Sequence, residues 1–147
     1  DENIEFYAKL NGQSKTEIQE NKKYLYEVFG LDKVKNKIAY KLSGGWQRKL
    51  SIALSLINEP KILFLDEPTL GLDVIARKQL WAIIENLKSK ITIILTTHYM
   101  EEAESLSDRI GIMKSGRLLA VGTVQEINEK AKSNDFETSF ITLIKEA

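Results

Sequence analysis

Ile62-Leu63-Phe64-Leu65-Asp66-Glu67-Pro68 is the stretch on which the fold turns. Its four apolar residues run without alternation, which predicts a strand covered on both faces in a parallel sheet. The run ends in two adjacent carboxylates. Successive side chains on a strand point to opposite faces, so neither acid serves packing. Working outward, Val74 to Lys88 places Ala76, Leu80, Ile83, Ile84 and Leu87 on one helical stripe, and Ile91 to Thr97 is a second apolar, β-branched run. Strand, helix, strand is a βαβ crossover, so the expected class is α/β with a mostly parallel sheet and flanking helices.

Further along, a short acidic helix is expected at Met100 to Leu106. Ile110 to Met113 and Leu118 to Val121 flank Lys114-Ser115-Gly116-Arg117, a hairpin signal with glycine in the loop. Amphipathic segments near Val124 to Lys132 and Phe136 to Ile144 follow. On the other side, Trp46, Leu50, Ala53, Leu54 and Ile57 predict a helix from Gly45 that Asn58 and Pro60 end. Earlier still, Glu2 to Asn11 carries Ile4, Tyr7, Ala8 and Leu10 and stops at Gly12. Ser14-Lys15-Thr16-Glu17 has the spacing of a capping box and opens a helix with Ile18, Leu25, Val28 and Phe29 inward before Gly30. A polar turn leads on to Leu42.

The chain has 147 residues, 43% of them hydrophobic, with 21 basic against 21 acidic residues and no cysteine. One modest domain is the size that fits. Disulfide and thiolate-metal chemistry are excluded. Zero net charge gives none of the basic footprint that nucleic acid requires, so no nucleic-acid partner is expected. No apolar stretch approaches the roughly 20 residues of a spanning helix. A start at Asp1, without an initiator Met or a signal-like segment, leads us to expect a processed chain or a piece of something longer.

In an open α/β sheet ligands sit outside the carboxyl ends of the strands, which directs attention to Asp66, Glu67 and His98. An isolated Asp-Glu pair is more often two solvated loop acids, but the buried run before it reverses those odds. One acid of such a pair suits a hydrated Mg²⁺ and the other a water aimed at phosphorus. Leu42-Ser43-Gly44-Gly45 precedes a helix, so free N–H groups, a hydroxyl and the helix N-terminus face one direction, as for an anion. Taken alone, that stretch is an N-cap and a turn. Asp73 is equally a helix N-cap and a functional residue, and the two are compatible. His98 is the only histidine. At a strand mouth it is placed to hydrogen-bond a phosphoryl oxygen or the attacking water. Trp46 and Trp81 read as core or interface anchors.

Leu42-Ser43-Gly44-Gly45, then Leu63-Phe64-Leu65-Asp66-Glu67-Pro68, then Gly71-Leu72-Asp73, then Thr97-His98, in that order, strongly resemble the nucleotide-binding domain of ABC transporter ATPases. They look like the signature motif, the Walker B strand with its catalytic glutamate, the D-loop and the switch histidine. The resemblance implies a partial P-loop NTPase fold with an amino-terminal helical (signature) subdomain over 1–58. A RecA-like core portion with the hairpin would fill 59–123, and a carboxy-terminal helical tail 124–147. It implies that Asp66 serves Mg²⁺, Glu67 polarises the hydrolytic water and His98 contacts the γ-phosphate. Ser43, Gly44 and Gly45 would bind the γ-phosphate of ATP held by a second nucleotide-binding domain, and Asp73 would couple the two sites. A separate transmembrane permease and a place on the cytoplasmic face of the membrane are also implied. Asp73-Val74-Ile75-Ala76-Arg77 and Thr138-Ser139-Phe140-Ile141-Thr142-Leu143 are similar to the drug- and polymer-export branch with ABC-2-type permeases. Two positions depart from the family pattern: Trp46 replaces the usual glutamine, leaving Gln47 displaced by one, and Val74 stands where proline is frequent.

A Walker A loop reads G-x-x-x-x-G-K-[ST], its backbone cradling phosphates and its lysine reaching the β and γ oxygens. None of the eight glycines is followed by Lys. Gly111 and Gly116 have the right gap but belong to the hairpin signal. The Q-loop glutamine is missing as well, since Gln13 sits in a polar turn. The leading expectation is therefore an ATP-hydrolysing ABC subunit that powers export, of which these 147 residues are the back part. Alone, they are expected to bind ATP weakly and to leave a sheet edge uncovered. The alternative is a non-catalytic module lending its signature half-site to a complete partner. A chromosome-maintenance or translation ATPase is disfavoured by neutral charge and by the absence of heptads or a repeat.

Overall fold

In the computed structural model, which describes residues 1–146, the chain begins with two antiparallel-style helical segments joined at Gly12. Helix α1 (Glu2–Leu10) buries Ile4 and Ala8 while Tyr7 and Leu10 are exposed. The buried stripe is one i, i+4 pair wide, narrower than the sequence predicts. Helix α2 (Lys15–Phe29) opens on the expected capping box, with the Ser14 hydroxyl accepting from the Glu17 N–H and the Glu17 carboxylate accepting from the Ser14 N–H. It buries Ile18, Leu25 and Phe29 and closes on Gly30 at φ +66°, a left-handed conformation that costs glycine nothing. Lys22 is also buried on α2. Its ammonium is held by Asp1 at 2.8 Å and by Glu5. The expected polar turn contains two short 3₁₀ turns, Leu31–Val34 and Ala39–Lys41, the first of them burying Leu31 and Val34.

Helix α3 (Gly44–Ser55) starts and ends near the expected bounds but turns a different face inward. Lys49, Ile52 and Ala53, followed by Leu56 and Ile57, are buried, whereas Trp46, Leu50 and Leu54 are half-buried. The aliphatic stem of a lysine takes the place periodicity assigns to an apolar residue. Its ammonium donates to Gln79 at 2.8 Å and lies 4.7 Å from the Trp46 ring centre. Desolvation, with the Lys33 charge second, lowers the Lys49 pKa. The amide of Gln13 ties the α1–α2 turn to the end of α3 by donating to the Ile57 carbonyl at 2.7 Å.

Strand β1 (Ile62–Asp66) pairs in parallel with β2 (Thr92–Thr96) across helix α4 (Val74–Lys88), which is the expected βαβ unit. Helix α4 buries Leu80, Trp81, Ile83, Ile84 and Leu87. The expectation of cover on both strand faces fails. Leu63 and Leu65 are buried, but Phe64 is 71% exposed, and its register partner Ile94 is exposed beside it. Helices pack on one face of a sheet that has two strands among the described residues, so the alternate side chains of both apolar runs face out.

Asp1–Thr96 forms one compact unit and Thr97–Ala147 a second. In the second, helix α5 (Met100–Leu106) is followed by β3 (Ile110–Lys114) and β4 (Arg117–Gly122), an antiparallel hairpin with a bulge at Ile112/Met113. The loop is tighter than the four residues read from sequence. Ser115 and Gly116 alone connect the strands, at φ +48° and +76°, the paired left-handed geometry that matches strand twist. Helices α6 (Val124–Ala131) and α7 (Phe136–Glu146) complete a core of Ala103, Ile110, Ile112, Ala120, Ile127, Phe136 and Leu143. A second capping box, Thr123 with Glu126, starts α6.

Candidate functional site

Ser43 occupies the N-cap position of α3 in extended conformation, yet its hydroxyl caps no N–H of the helix. Ser43 and Gly44 are exposed, and Gly45 is half-buried. The loop before them is held by Gln47, whose amide donates to the carbonyls of Leu42 at 2.9 Å and Tyr40 at 3.3 Å. The first turn of α3 runs hard against the first turn of α4. A Cβ added at Gly45 would stand 3.0 Å from the Ala76 Cβ, and one at Gly44 3.8 Å from Leu72. A side chain at 45 would have to push the two helices apart at this approach by a few tenths of an ångström. That approach brings Ser43–Gly45 beside the Gly71–Asp73 segment.

Asp73 caps α4. Its carboxylate accepts from the Ala76 N–H at 2.9 Å. It remains exposed, so capping leaves it accessible. Asp66 closes β1 opposite Thr96 and accepts a hydrogen bond from the Thr96 hydroxyl. Glu67, half-buried, follows at φ +45°, a left-handed conformation uncommon for a residue with a side chain. Three hydrogen bonds hold its backbone there. Its N–H donates to the Thr96 carbonyl at 3.0 Å, and its carbonyl accepts from Leu70 N–H at 3.2 Å and from the Arg48 guanidinium at 3.1 Å. Pro68 and Thr69 behind it are buried.

The first unit therefore sets Ser43–Gly45 beside the Gly71–Asp73 segment and ties the Asp66–Glu67 end of β1 to α3 through Arg48. His98 lies in the second unit, exposed, two residues beyond β2. Its ring stands 4.2 Å from that of Tyr99, the N-cap residue of α5, and the Tyr99 N–H donates to the Thr97 hydroxyl at 3.0 Å. Among the described residues no three Asp, Glu or His side chains converge as a metal cage. Mg²⁺ does not need one, because it keeps several waters and takes one or two carboxylates beside phosphate oxygens. Exposed Asp66, steadied by Thr96, fits that mode of binding. Sequence reasoning missed Arg48 and Thr96, and noted Gln47 only as a displaced family glutamine and not as the brace of its own loop. Thr96 had a signal, as the residue opposite Asp66 in two paired runs; Arg48 acts on a main-chain carbonyl and leaves no pattern.

The ABC transporter family model matches residues 2–70, a span that includes Ser43–Gly45 and Asp66–Glu67. Among curated proteins, the human "Phospholipid-transporting ATPase ABCA3" is 41% identical over 145 residues, covering 99% of this chain and 8% of that protein. "ABC transporter A family member 7" of Dictyostelium discoideum is 45% identical over 131 residues, covering 88% of the chain and 16% of that protein. A solved structure described as "Structure of ATP binding subunit of ABC transporter" superposes with a TM-score of 0.80 at 28% identity. It covers 97% of this chain and 60% of that one. The chain spans under a fifth of the length of these curated relatives. They are A-family transporters and not specifically the drug- and polymer-export branch, so the similarity read from 73–77 and 138–143 reaches the family and not that branch. Sequence relationship and shared fold together identify the chain as part of the ATP-binding domain of an ABC transporter.

Proposed function

We propose that this chain belongs to a nucleotide-binding domain that hydrolyses ATP to drive an A-type transporter. The observation that carries the reading is the exposed Ser43–Gly45 turn packed beside the Gly71–Asp73 segment, with Glu67 held just past the end of β1 by three hydrogen bonds to its backbone. In this reading the N–H groups of the first turn of α3 and the Ser43 hydroxyl take the γ-phosphate of ATP held by a second nucleotide-binding domain. Glu67 orients the attacking water and accepts its proton, Asp66 holds Mg²⁺, and His98 donates to the γ-phosphate. Mg²⁺, when bound with the nucleotide, neutralises charge on the β- and γ-phosphates. Asp73, exposed while it caps α4, couples the two domains.

Residues 1–58 act as the helical signature subdomain, 59–123 as the core portion and 124–147 as a tail. A transmembrane permease region is the partner, and the cytoplasmic face of the membrane is the location. No helix among the described residues is long and apolar enough to cross a membrane. The phospholipid-transporting relatives supply the substrate class we infer, with export as the direction.

Glu67→Gln in the complete protein is the direct test. Turnover should fall by at least about 100-fold while MgATP binding persists. Unchanged hydrolysis would sink the assignment. For the 147 residues alone, which contain no G-K-[ST] loop, calorimetry should detect no tight MgATP binding. A one-to-one submicromolar isotherm would contradict this.

A further inference from the structure

We propose that Arg48 is a positioning residue for ATP hydrolysis, locking the peptide of Glu67 onto helix α3. The inference rests on the reading of Glu67 as the residue that orients the water. A non-glycine residue in left-handed conformation persists only where its surroundings over-determine it. At Glu67 the N–H is tied to the end of β2 through Thr96, and the carbonyl is tied to Leu70 and to the Arg48 guanidinium. Arg48 adds a side-chain bond at 3.1 Å to the 3.2 Å bond from the Leu70 N–H, which lies within the same turn. A shift of this backbone relative to α3 carries the Glu67 side chain with it, and displacement of a catalytic group by about 1 Å costs up to 100-fold in rate.

Arg48 also sits three residues after Gly45, on the same face of α3. Gly45 meets α4 at Ala76, and Arg48 reaches across to the end of β1. One rigid helix therefore carries both the Ser43–Gly45 turn and the group that fixes Glu67. A shift of α3 on engagement of its N-terminal turn is passed to the Glu67 peptide by a single charge-assisted hydrogen bond. Only one guanidinium nitrogen makes that bond, so a lysine ammonium suffices in its place.

The experiment compares Arg48→Ala, Arg48→Gln, Arg48→Lys and Glu67→Gln in the complete membrane-reconstituted protein, reading kcat and KM for MgATP together with thermal melting. Arg48→Ala and Arg48→Gln should lower kcat about ten- to a hundredfold with KM within about twofold, and Arg48→Lys should restore at least half of the lost rate. Arg48→Gln stands in if the alanine variant fails to fold. The proposal is overturned if kcat stays within twofold in the glutamine variant, or if kcat falls equally in the lysine variant. It is also overturned if the loss tracks a drop in melting temperature. Persistent turnover in Glu67→Gln would instead remove the reading of Glu67, whatever Arg48 does.

Discussion

The parallel pair β1–β2 and the hairpin β3–β4 are both two-stranded, yet they meet solvent in opposite ways. The hairpin alternates. Ile110, Ile112 and Ala120 face the core made with α5, α6 and α7, and Met113, Leu118 and Val121 stand outside. The parallel pair is apolar on both faces, and Ile62, Phe64 and Ile94 are exposed. A hairpin needs cover on one side only, which helices that follow closely in sequence supply. A parallel pair carries its own demand for two covers, and the chain described supplies one. Local sequence thus closes the second unit, while the strand that ends in Asp66 and its parallel partner are written for a larger sheet.

Four measurements break or sharpen that contrast. Ile112→Ala removes a side chain 2% exposed and should cost about 3 kcal/mol in urea unfolding, within the range for buried Ile to Ala. A loss under 1 kcal/mol would mean the hairpin core is not closed. Gly116→Ala forces a side chain onto φ +76° in the two-residue loop and should cost about 1–2 kcal/mol, read by the same method. Phe64→Ser should shift stability by only about 0.5 kcal/mol, as for an exposed site, while reducing dye binding to exposed apolar surface. A loss of several kcal/mol there would show that Phe64 is covered in solution.

The smallest effect is acid sensitivity, and it should be shared by both units. The Ser14 side chain and N–H lower the Glu17 pKa, and the Thr138 N–H lowers that of Asp135. Both carboxyls are held below their unfolded values. Their contribution is therefore present above the unfolded pKa values of about 4 and is lost as pH falls through the folded ones. Thermal melting followed from pH 6 to pH 2 should decline more gently in Glu17→Gln and Asp135→Asn than in the parent. Equal slopes would show the caps to be electrostatically idle.

Elements whose ends are set by neighbouring residues were legible in sequence. Val74 to Lys88 and Met100 to Leu106 match the observed helices, and Ser14 with Glu17 forms the box their spacing announces. Facing was harder. Lys49 fills a buried position on α3 because its charge finds Gln79 on another helix, a partner no local window contains. The exposed half of β1 and β2 escaped for a related reason, since periodicity reports how a strand is built to be covered and not what lies on it. At the candidate site the motif residues were picked out by order and type. Arg48 was not, because a bond to main-chain oxygen asks nothing of the partner's identity.

The left-handed backbone at Glu67 carries a cost of about 1–2 kcal/mol that an ordinary loop residue would not incur. Asparagine tolerates that conformation better, being short and able to bond its own backbone. Glu67→Asn should therefore raise the melting temperature by a few degrees and, on the function proposed for Glu67, end hydrolysis in the complete protein. Such a trade-off would make position 67 a place where selection for turnover works against selection for a durable fold, and where drift in an idle copy would begin.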